Sequence, residues 1–397
     1  MGVDGCTTTA GEGPRLARRA IEIGVEGAFA VFAEARRLQA EGRDVVHLEV
    51  GEPDFPTPPH IVEAGVRALR DGMTTYVQSS GIPELRSAIA ESMAERDVSA
   101  EPANVVVTPG SKLMVFLALQ ALVEPGDEVL VPDPAYPAYA AVTGFIGARP
   151  VPYRVDPEYG MDVAEVAAKI TPRTRVLVIN SPHNPTGHAL DRGALGQLAE
   201  LAERHDLTVM SDEIYRHLAF GSEPPVSIAA LPGMSARTVI VDGFSKAYCM
   251  TGWRLGFGVM PVRLAEHVGK LVNNSAACTA PFVQMAGIAA LRGPQDGVRA
   301  MCAEFRLRRD LIVGALNAMP GVRCATPGGA FYVFPDIAGT GMTGEALAHS
   351  LLYDAGVACL PGTAFGTNGD RSLRFSYVRS RGEIERAMKK MGDQLGK

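Results

Sequence analysis

The sequence predicts an α/β fold: a large domain built on a mostly parallel seven-stranded sheet covered by helices, followed by a smaller α+β domain. Three observations carry this. Between about residues 104 and 260, short β-branched runs alternate with stretches of helical character. Gly, Pro, Asn and Asp gather just beyond the C-terminal ends of those runs. After residue 300 the alternation gives way to long helix, two short strands and a final helix.

Residues 1–20, rich in Gly and Thr, read as a loose N-terminal arm. Residues 28–41 read as a helix, with Phe29, Phe32, Ala33 and Arg36 at helical spacing. Residues 45–50 read as a short strand ending in Gly51-Glu52-Pro53-Asp54-Phe55-Pro56, a loop by its Gly and Pro content. The large sheet has no place for this early stretch, so residues 21–55 are assigned to the smaller domain. An amphipathic helix at 61–71 precedes Tyr76 in a loop. A second helix at 82–95 carries Pro83 in its first turn, where a missing N–H costs little.

The sheet follows, with strands expected at 105–108, 128–131, 149–153, 175–180, 208–211, 238–241 and 255–260. Helices are expected at 112–123, 163–168 and 192–205. The last two strands are too close in sequence for a parallel crossover, so one strand is expected to be antiparallel. Residues 284–316 read as helix, broken near Gly293-Pro294. Strands near 331–334 and 373–377, a helix near 344–355 and a last helix from Arg381 complete the chain. The expected division is a large domain at 56–300 and a small one at 301–397.

With 47% hydrophobic and 21% charged residues in 397, the chain has soluble globular composition. The net charge of -6, without any block of like charge, argues against nucleic acid or a membrane surface as partner. The six cysteines form no CxxC pair, which argues against a zinc site or disulfide framework and for a reducing, cytoplasmic location. No metal is expected.

In open α/β sheets, ligands bind beyond the carboxyl ends of the strands, and the unusual residues of this chain fall there. Pro109-Gly110-Ser111-Lys112 opens a helix after the first strand; free N–H groups and a glycine make it a phosphate cradle or an ordinary helix cap. Pro134-Ala135-Tyr136-Pro137-Ala138-Tyr139 offers an aromatic plate. In Ser181-Pro182-His183-Asn184-Pro185-Thr186-Gly187 the prolines stiffen a loop that presents Asn184. Asp212 is either a cap or the partner of a protonated heterocyclic nitrogen, and Tyr215 follows it. Lys246, beside Ser245 in apolar company, is a candidate for a Schiff base with a carbonyl cofactor. Arg254, eight residues on, could hold a phosphate. No metal-ligand cluster, nucleophile elbow or GxGxxG fingerprint competes.

Taken together, residues 51–55, 181–187, 211–215 and 245–256 resemble the motifs of the class I/II aminotransferases, fold-type I enzymes of pyridoxal 5'-phosphate, and are most similar to the aspartate-aminotransferase-like subgroup. The resemblance runs from about Ile21 to the C-terminus. It implies that Lys246 binds the cofactor covalently and that Asp212 pairs with the pyridine nitrogen. It implies Tyr215 and Asn184 on the phenolic oxygen, Tyr136 on the ring face, and Gly110, Ser111 and Arg254 on the phosphate. Tyr76 would reach the phosphate of a neighbouring subunit, making the protein a homodimer. Arg374 would clamp the substrate carboxylate, assisted by Gly51 and Asn184. In some aspartate- and prephenate-type relatives a lysine at the position of Lys112 reaches a distal carboxylate; otherwise Lys112 adds charge near the phosphate or is solvated. Gly243 stands where many relatives carry a phosphate-binding Ser or Thr. No second arginine for an acidic side chain is apparent. The implied activity is ping-pong transfer of an amino group between an L-amino acid and a 2-oxo acid. The alternatives are another reaction on the same cofactor or, in a different class, a cofactor-sensing regulator, for which the N-terminal stretch lacks a clear DNA-binding module.

Overall fold

The computed structural model describes residues 14–24, 27–156, 160–222 and 225–396. Residues 1–13 of the expected arm lie outside that set. The N-terminal helices are α1 (Arg18–Glu22), α2 (Gly27–Ala40), α3 (Pro59–Arg70) and α4 (Pro83–Ser92), with β1 (Val46–His47) between α2 and α3. The central strands are β2 (Val105–Thr108), β3 (Glu128–Asp133), β4 (Arg149–Asp156), β5 (Gly160–Met161), β6 (Thr174–Asn180), β7 (Thr208–Asp212), β8 (Thr238–Gly243) and β9 (Gly256–Val259). Among them lie α5 (Ser111–Leu122), α6 (Ala138–Phe145), α7 (Val163–Ala168) and α8 (Arg192–Arg204). After β9 come α9 (Val262–Ser275), α10 (Pro281–Arg292), α11 (Asp296–Asn317), β10 (Tyr332–Val333), α12 (Gly344–Ser350), β11 (Val357–Ala358), β12 (Leu360–Pro361), β13 (Leu373–Ser376) and α13 (Arg381–Leu395).

The central sheet has the order β2-β9-β8-β7-β6-β3-β4-β5. The seven expected strands are all in it, and β5 is an eighth. A two-residue strand is too short for period-two patterning, so sequence alone does not reveal it. Strand β9 pairs antiparallel with both β2 and β8, as the short connection required. Alternate side chains load the two faces. Val105, Val107, Ile240 and Phe257 pack under α3, α4 and α10, whereas Val106, Val129, Val178, Val239 and Val241 meet α5, α6 and α9. A strand buried on both faces reads as a continuous apolar run, which is why 105–107 and 238–241 were legible.

In the C-terminal unit, β10-β13-β12 form a small antiparallel sheet. Strand β1 returns from the N-terminal segment to pair with β11. Helix α11 runs unbroken through residue 300, so a division at that position falls inside a helix. Ser380 and Glu383 form a capping box that starts α13.

One buried ion network ties the large unit together beneath the strand ends. Arg96 Nη1 binds Glu213 Oε2 at 2.6 Å, and its Nη2 binds Asp242. Glu213 also accepts from Ser227 Oγ at 2.6 Å and Ser211 Oγ at 3.1 Å. Glu213 follows Asp212 and Asp242 precedes Lys246 by four positions, so the network anchors the ends of β7 and β8.

Candidate active site

The C-terminal ends of β3, β6, β7 and β8 converge on a cavity of about 180 Å³. Of the predicted residues, Gly51, Ser111, Lys112, Tyr136, Asn184, Asp212, Tyr215, Lys246 and Arg374 line it. Gly110, Ser245 and Arg254 do not line it, although Gly110 and Ser245 adjoin Ser111 and Lys246 in sequence, and Tyr76 is 88% exposed and takes no part in it. A larger cavity of about 670 Å³ opens between α4, α11 and residues 217–221, lined by none of these residues. Volume alone would select it; the convergence of strand-end polar groups selects the smaller one.

The turn after β8 carries Lys246, whose Nζ donates to Gly51 O at 2.7 Å and lies 5.6 Å from the Phe331 ring centroid. Gly51 has to be glycine: a Cβ there would lie 1.9 Å from Tyr332 Oη. At the end of the adjacent strand, Asp212 is buried and accepts from Tyr139 Oη at 2.6 Å and from Ile214 N at 3.2 Å. Burial pushes its pKa up to about 6, while the Tyr139 and Ile214 hydrogen bonds pull it down. The Ile214 contact is the cap expected of a strand-end aspartate; the Tyr139 contact is additional. Tyr215 Oη pairs with Tyr332 Oη at 3.0 Å, and burial holds its pKa well above the ordinary phenol value.

Asn180, ending β6, accepts from Asn184 N at 2.8 Å and donates to Asp212 O at 3.0 Å. Asn184 is thereby fixed against the floor, and its Oδ1 is buried with no protein partner. His183 bonds Thr186 Oγ1 at 2.8 Å; burial lowers its pKa to about 3, so it is a neutral loop brace.

The β2–α5 turn, expected to be a phosphate cradle or an ordinary helix cap, is tightly built. Gly110 has φ 85°, and a Cβ on it would lie 2.1 Å from Arg254 Nη2. A Cβ on Gly256 would lie 2.2 Å from Ser111 N. Arg254 itself has φ 58° and donates to Thr251 O at 2.9 Å. The guanidinium is thus held against Gly110, the N-cap of α5, an arrangement that suits a dianion. Gly243 has a local reason as well, since a Cβ there would approach Gly256 Cα and Leu255 O at 3.0 Å.

Arg374, 5% exposed on β13, donates to Glu49 O. Its Cζ sits 4.6 Å from the Tyr332 ring and 4.7 Å from the Phe365 ring. Lys112 Nζ lies 5.6 Å from the Tyr136 centroid. Sequence reasoning missed Tyr139, Asn180 and Tyr332. A polar Asn180 closing an apolar strand was a readable signal, whereas Tyr139 sits in an apolar, aromatic stretch and gave none. Tyr332 gave none, lying in an aromatic run. Among the described residues there is no cluster of His, Cys, Asp or Glu that could hold a metal.

The fold and this pocket define an α/β enzyme of the pyridoxal-phosphate type. The close-packed turn at Gly110 and the placing of Lys246 and Asp212 on one cavity wall fit that group. The family model for aminotransferase class I and II matches residues 43–391, and the chain belongs to that family. It is 40% identical to the aspartate aminotransferase of Musicola paradisiaca, over 96% of each chain. It is 42% identical to an arginine–pyruvate transaminase of Pseudomonas aeruginosa, over 85% of this chain and 86% of the other. The aspartate aminotransferase of Thermus thermophilus, solved with maleate, superposes with a TM-score of 0.91 at 36% identity, covering 96% of this chain and all of that one. The protein is a pyridoxal-phosphate-dependent aminotransferase, moving an amino group between an amino acid and a 2-oxo acid.

Proposed function

We propose that transamination runs on Lys246, Asp212 and Arg374. The observation that carries this reading is that Lys246 and Asp212, from the ends of neighbouring strands, line one small cavity together with Arg374. The cofactor, when bound, supplies an electron sink for the electrons left when the Cα–H bond breaks. Lys246 would hold the cofactor and would take the Cα proton of the donor. Asp212, ionised, would favour a proton on the pyridine nitrogen. The Tyr215 hydroxyl and the Asn184 Nδ2 would donate to the phenolic oxygen, and Tyr136 would pack on the ring. Gly110 and Ser111 N–H groups would hold the phosphate with Arg254, beside Ser245. Arg374 would grip the α-carboxylate, with Gly51 and Asn184 assisting.

Lys112 is proposed to meet the distal carboxylate of an acidic donor, because a buried carboxylate without a partner charge is costly. Its position on the cavity wall beside Tyr136 supports this. If so, Lys112→Ala lowers kcat/KM for aspartate or glutamate about 10-fold or more and for alanine far less. Equal losses, with weaker cofactor retention, assign Lys112 to the phosphate.

The working unit is proposed to be a homodimer in the cytoplasm. Val62, Val66 and Leu69 form an exposed apolar stripe on α3, 37–46% accessible, and Tyr76 projects just beyond it. Such a stripe is what a partner subunit covers. Five described cysteines are free, consistent with a reducing compartment. The large unit is taken as 56–300 and the small one as 21–55 with 301–397. A panel of amino donors, followed by cofactor absorbance, tests the residue roles: Lys246→Ala abolishes turnover with every donor, and near-wild-type turnover would refute the assignment.

A further inference from the structure

One buried carboxylate is not used by this mechanism. Asp133 closes β3, is 4% exposed, and stands three residues before Tyr136. It faces away from the cavity, toward a loop of the C-terminal unit. Its Oδ2 accepts from Thr367 Oγ1 at 2.7 Å and Thr367 N at 3.1 Å, and its Oδ1 accepts from Asn368 N at 3.2 Å. Next to it, Ala135 N donates to Phe365 O at 2.7 Å. Three donors converging on one carboxylate make a charge-assisted clasp rather than a chance contact. The loop is shaped to it. Gly366 has φ 144°, and a Cβ there would lie 2.0 Å from Asp133 Oδ1.

The other end of the clasp is Phe365. Its ring centroid lies 4.7 Å from Arg374 Cζ, and that of Tyr332 lies 4.6 Å from it. Tyr332 is braced by Tyr215 from the large unit. Phe365 is buried against Phe334 and Leu360 of its own unit, and the loop that follows it is fastened to the large unit through Asp133 and Ala135. A guanidinium kept against two rings loses less freedom on gripping a carboxylate than one that must first be ordered.

We propose that Asp133 is a positioning residue for substrate-carboxylate recognition: by fastening residues 366–368 it seats Phe365 against Arg374. The inference rests on the reading of Arg374 as the carboxylate clamp. A mere brace between the two units would alter stability without separating KM from kcat.

The test uses the cofactor-loaded enzyme and the Asp133→Ala, Asp133→Asn, Thr367→Val and Arg374→Gln variants. KM and kcat are measured for the best amino donor and its 2-oxo acid acceptor, with amide exchange across residues 362–369. Asp133→Ala is expected to raise both KM values about 10-fold, with kcat within about threefold and cofactor absorbance unchanged. Thr367→Val should raise KM about threefold, Asp133→Asn should recover part of the loss, and exchange at Thr367 and Asn368 should quicken in step. Unchanged KM in Asp133→Ala and Thr367→Val, a kcat loss as large as the KM rise, or unchanged exchange overturns the proposal. If Asp133→Ala does not fold, Thr367→Val at the exposed end decides alone, wild-type KM being the refuting result. Arg374→Gln separates the two readings. Wild-type KM in that variant refutes the clamp, whereas a raised KM there with normal KM in the Asp133 and Thr367 variants refutes this inference only.

Discussion

Asp212 shows what burying a functional carboxylate costs. Its pKa stands near 6 rather than 3.8, chiefly through burial. Below about pH 4 it is protonated in the folded and unfolded chains alike, and no cost arises. As pH rises through 4 to 6 the unfolded chain ionises first, so stability is lost across that window and stays lost above it. The cofactor-free Asp212→Asn variant should therefore be more stable than wild type at pH 7.5, by roughly 2–3 kcal/mol, with the difference vanishing near pH 4. Denaturant titrations at the two pH values check this; a variant less stable at pH 7.5 would count against it. Tyr139→Phe removes the hydrogen bond that favours the ionised form, so the upper end of the pH window should move higher. With cofactor bound, Asp212→Asn should lose most activity, because a neutral partner no longer favours a protonated pyridine nitrogen. Activity within a few-fold of wild type, about 1 kcal/mol in barrier, would make Asp212 only a cap.

At the level of elements, the β2–α5 turn and the β8–β9 turn interlock, because Gly110 and Gly256 allow backbone and guanidinium to approach where a methyl would collide. Gly110→Ala should accordingly weaken cofactor retention by about 10-fold or more while leaving far-UV circular dichroism unchanged; equilibrium dialysis of pyridoxal phosphate reads it. Beneath the same strand ends, Arg96→Met leaves Glu213 and Asp242 buried without their cation. It should destabilise by about 3–5 kcal/mol, and an Arg96→Met variant as stable as wild type would show the network to be dispensable. The strands themselves were legible because both faces are buried and their runs are continuously apolar. Their cavity-lining ends were legible because Lys246, Asp212 and Asn184 are polar residues placed where such runs stop. Tyr139 and Tyr332 were not, since an aromatic in an apolar stretch reads as core until its hydroxyl is seen to have a partner. Asp133 was hidden similarly: its partners are 234 and 235 residues away in sequence.

On the scale of the whole molecule, one cavity is lined by groups from both units. Lys246 and Asp212 come from the central sheet, Arg374 from the small one, and the exposed Tyr76 finds no role within its own subunit's cavity. If Tyr76 serves a neighbour, mixing Lys246→Ala subunits with Tyr76→Ala subunits creates one site that has both Lys246 and Tyr76. Activity of the refolded mixture should then exceed the sum of the two parents, and no gain would place Tyr76 outside the site. No helix among the described residues is long and apolar enough to cross a membrane. Transamination divides into two separable half-reactions. Mixing the loaded enzyme with an amino donor and no acceptor in a single turnover isolates the first. One 2-oxo acid and one pyridoxamine phosphate per active site are expected, then arrest until an acceptor is added. Continued release of ammonia, with the cofactor remaining as pyridoxal phosphate, would contradict transamination.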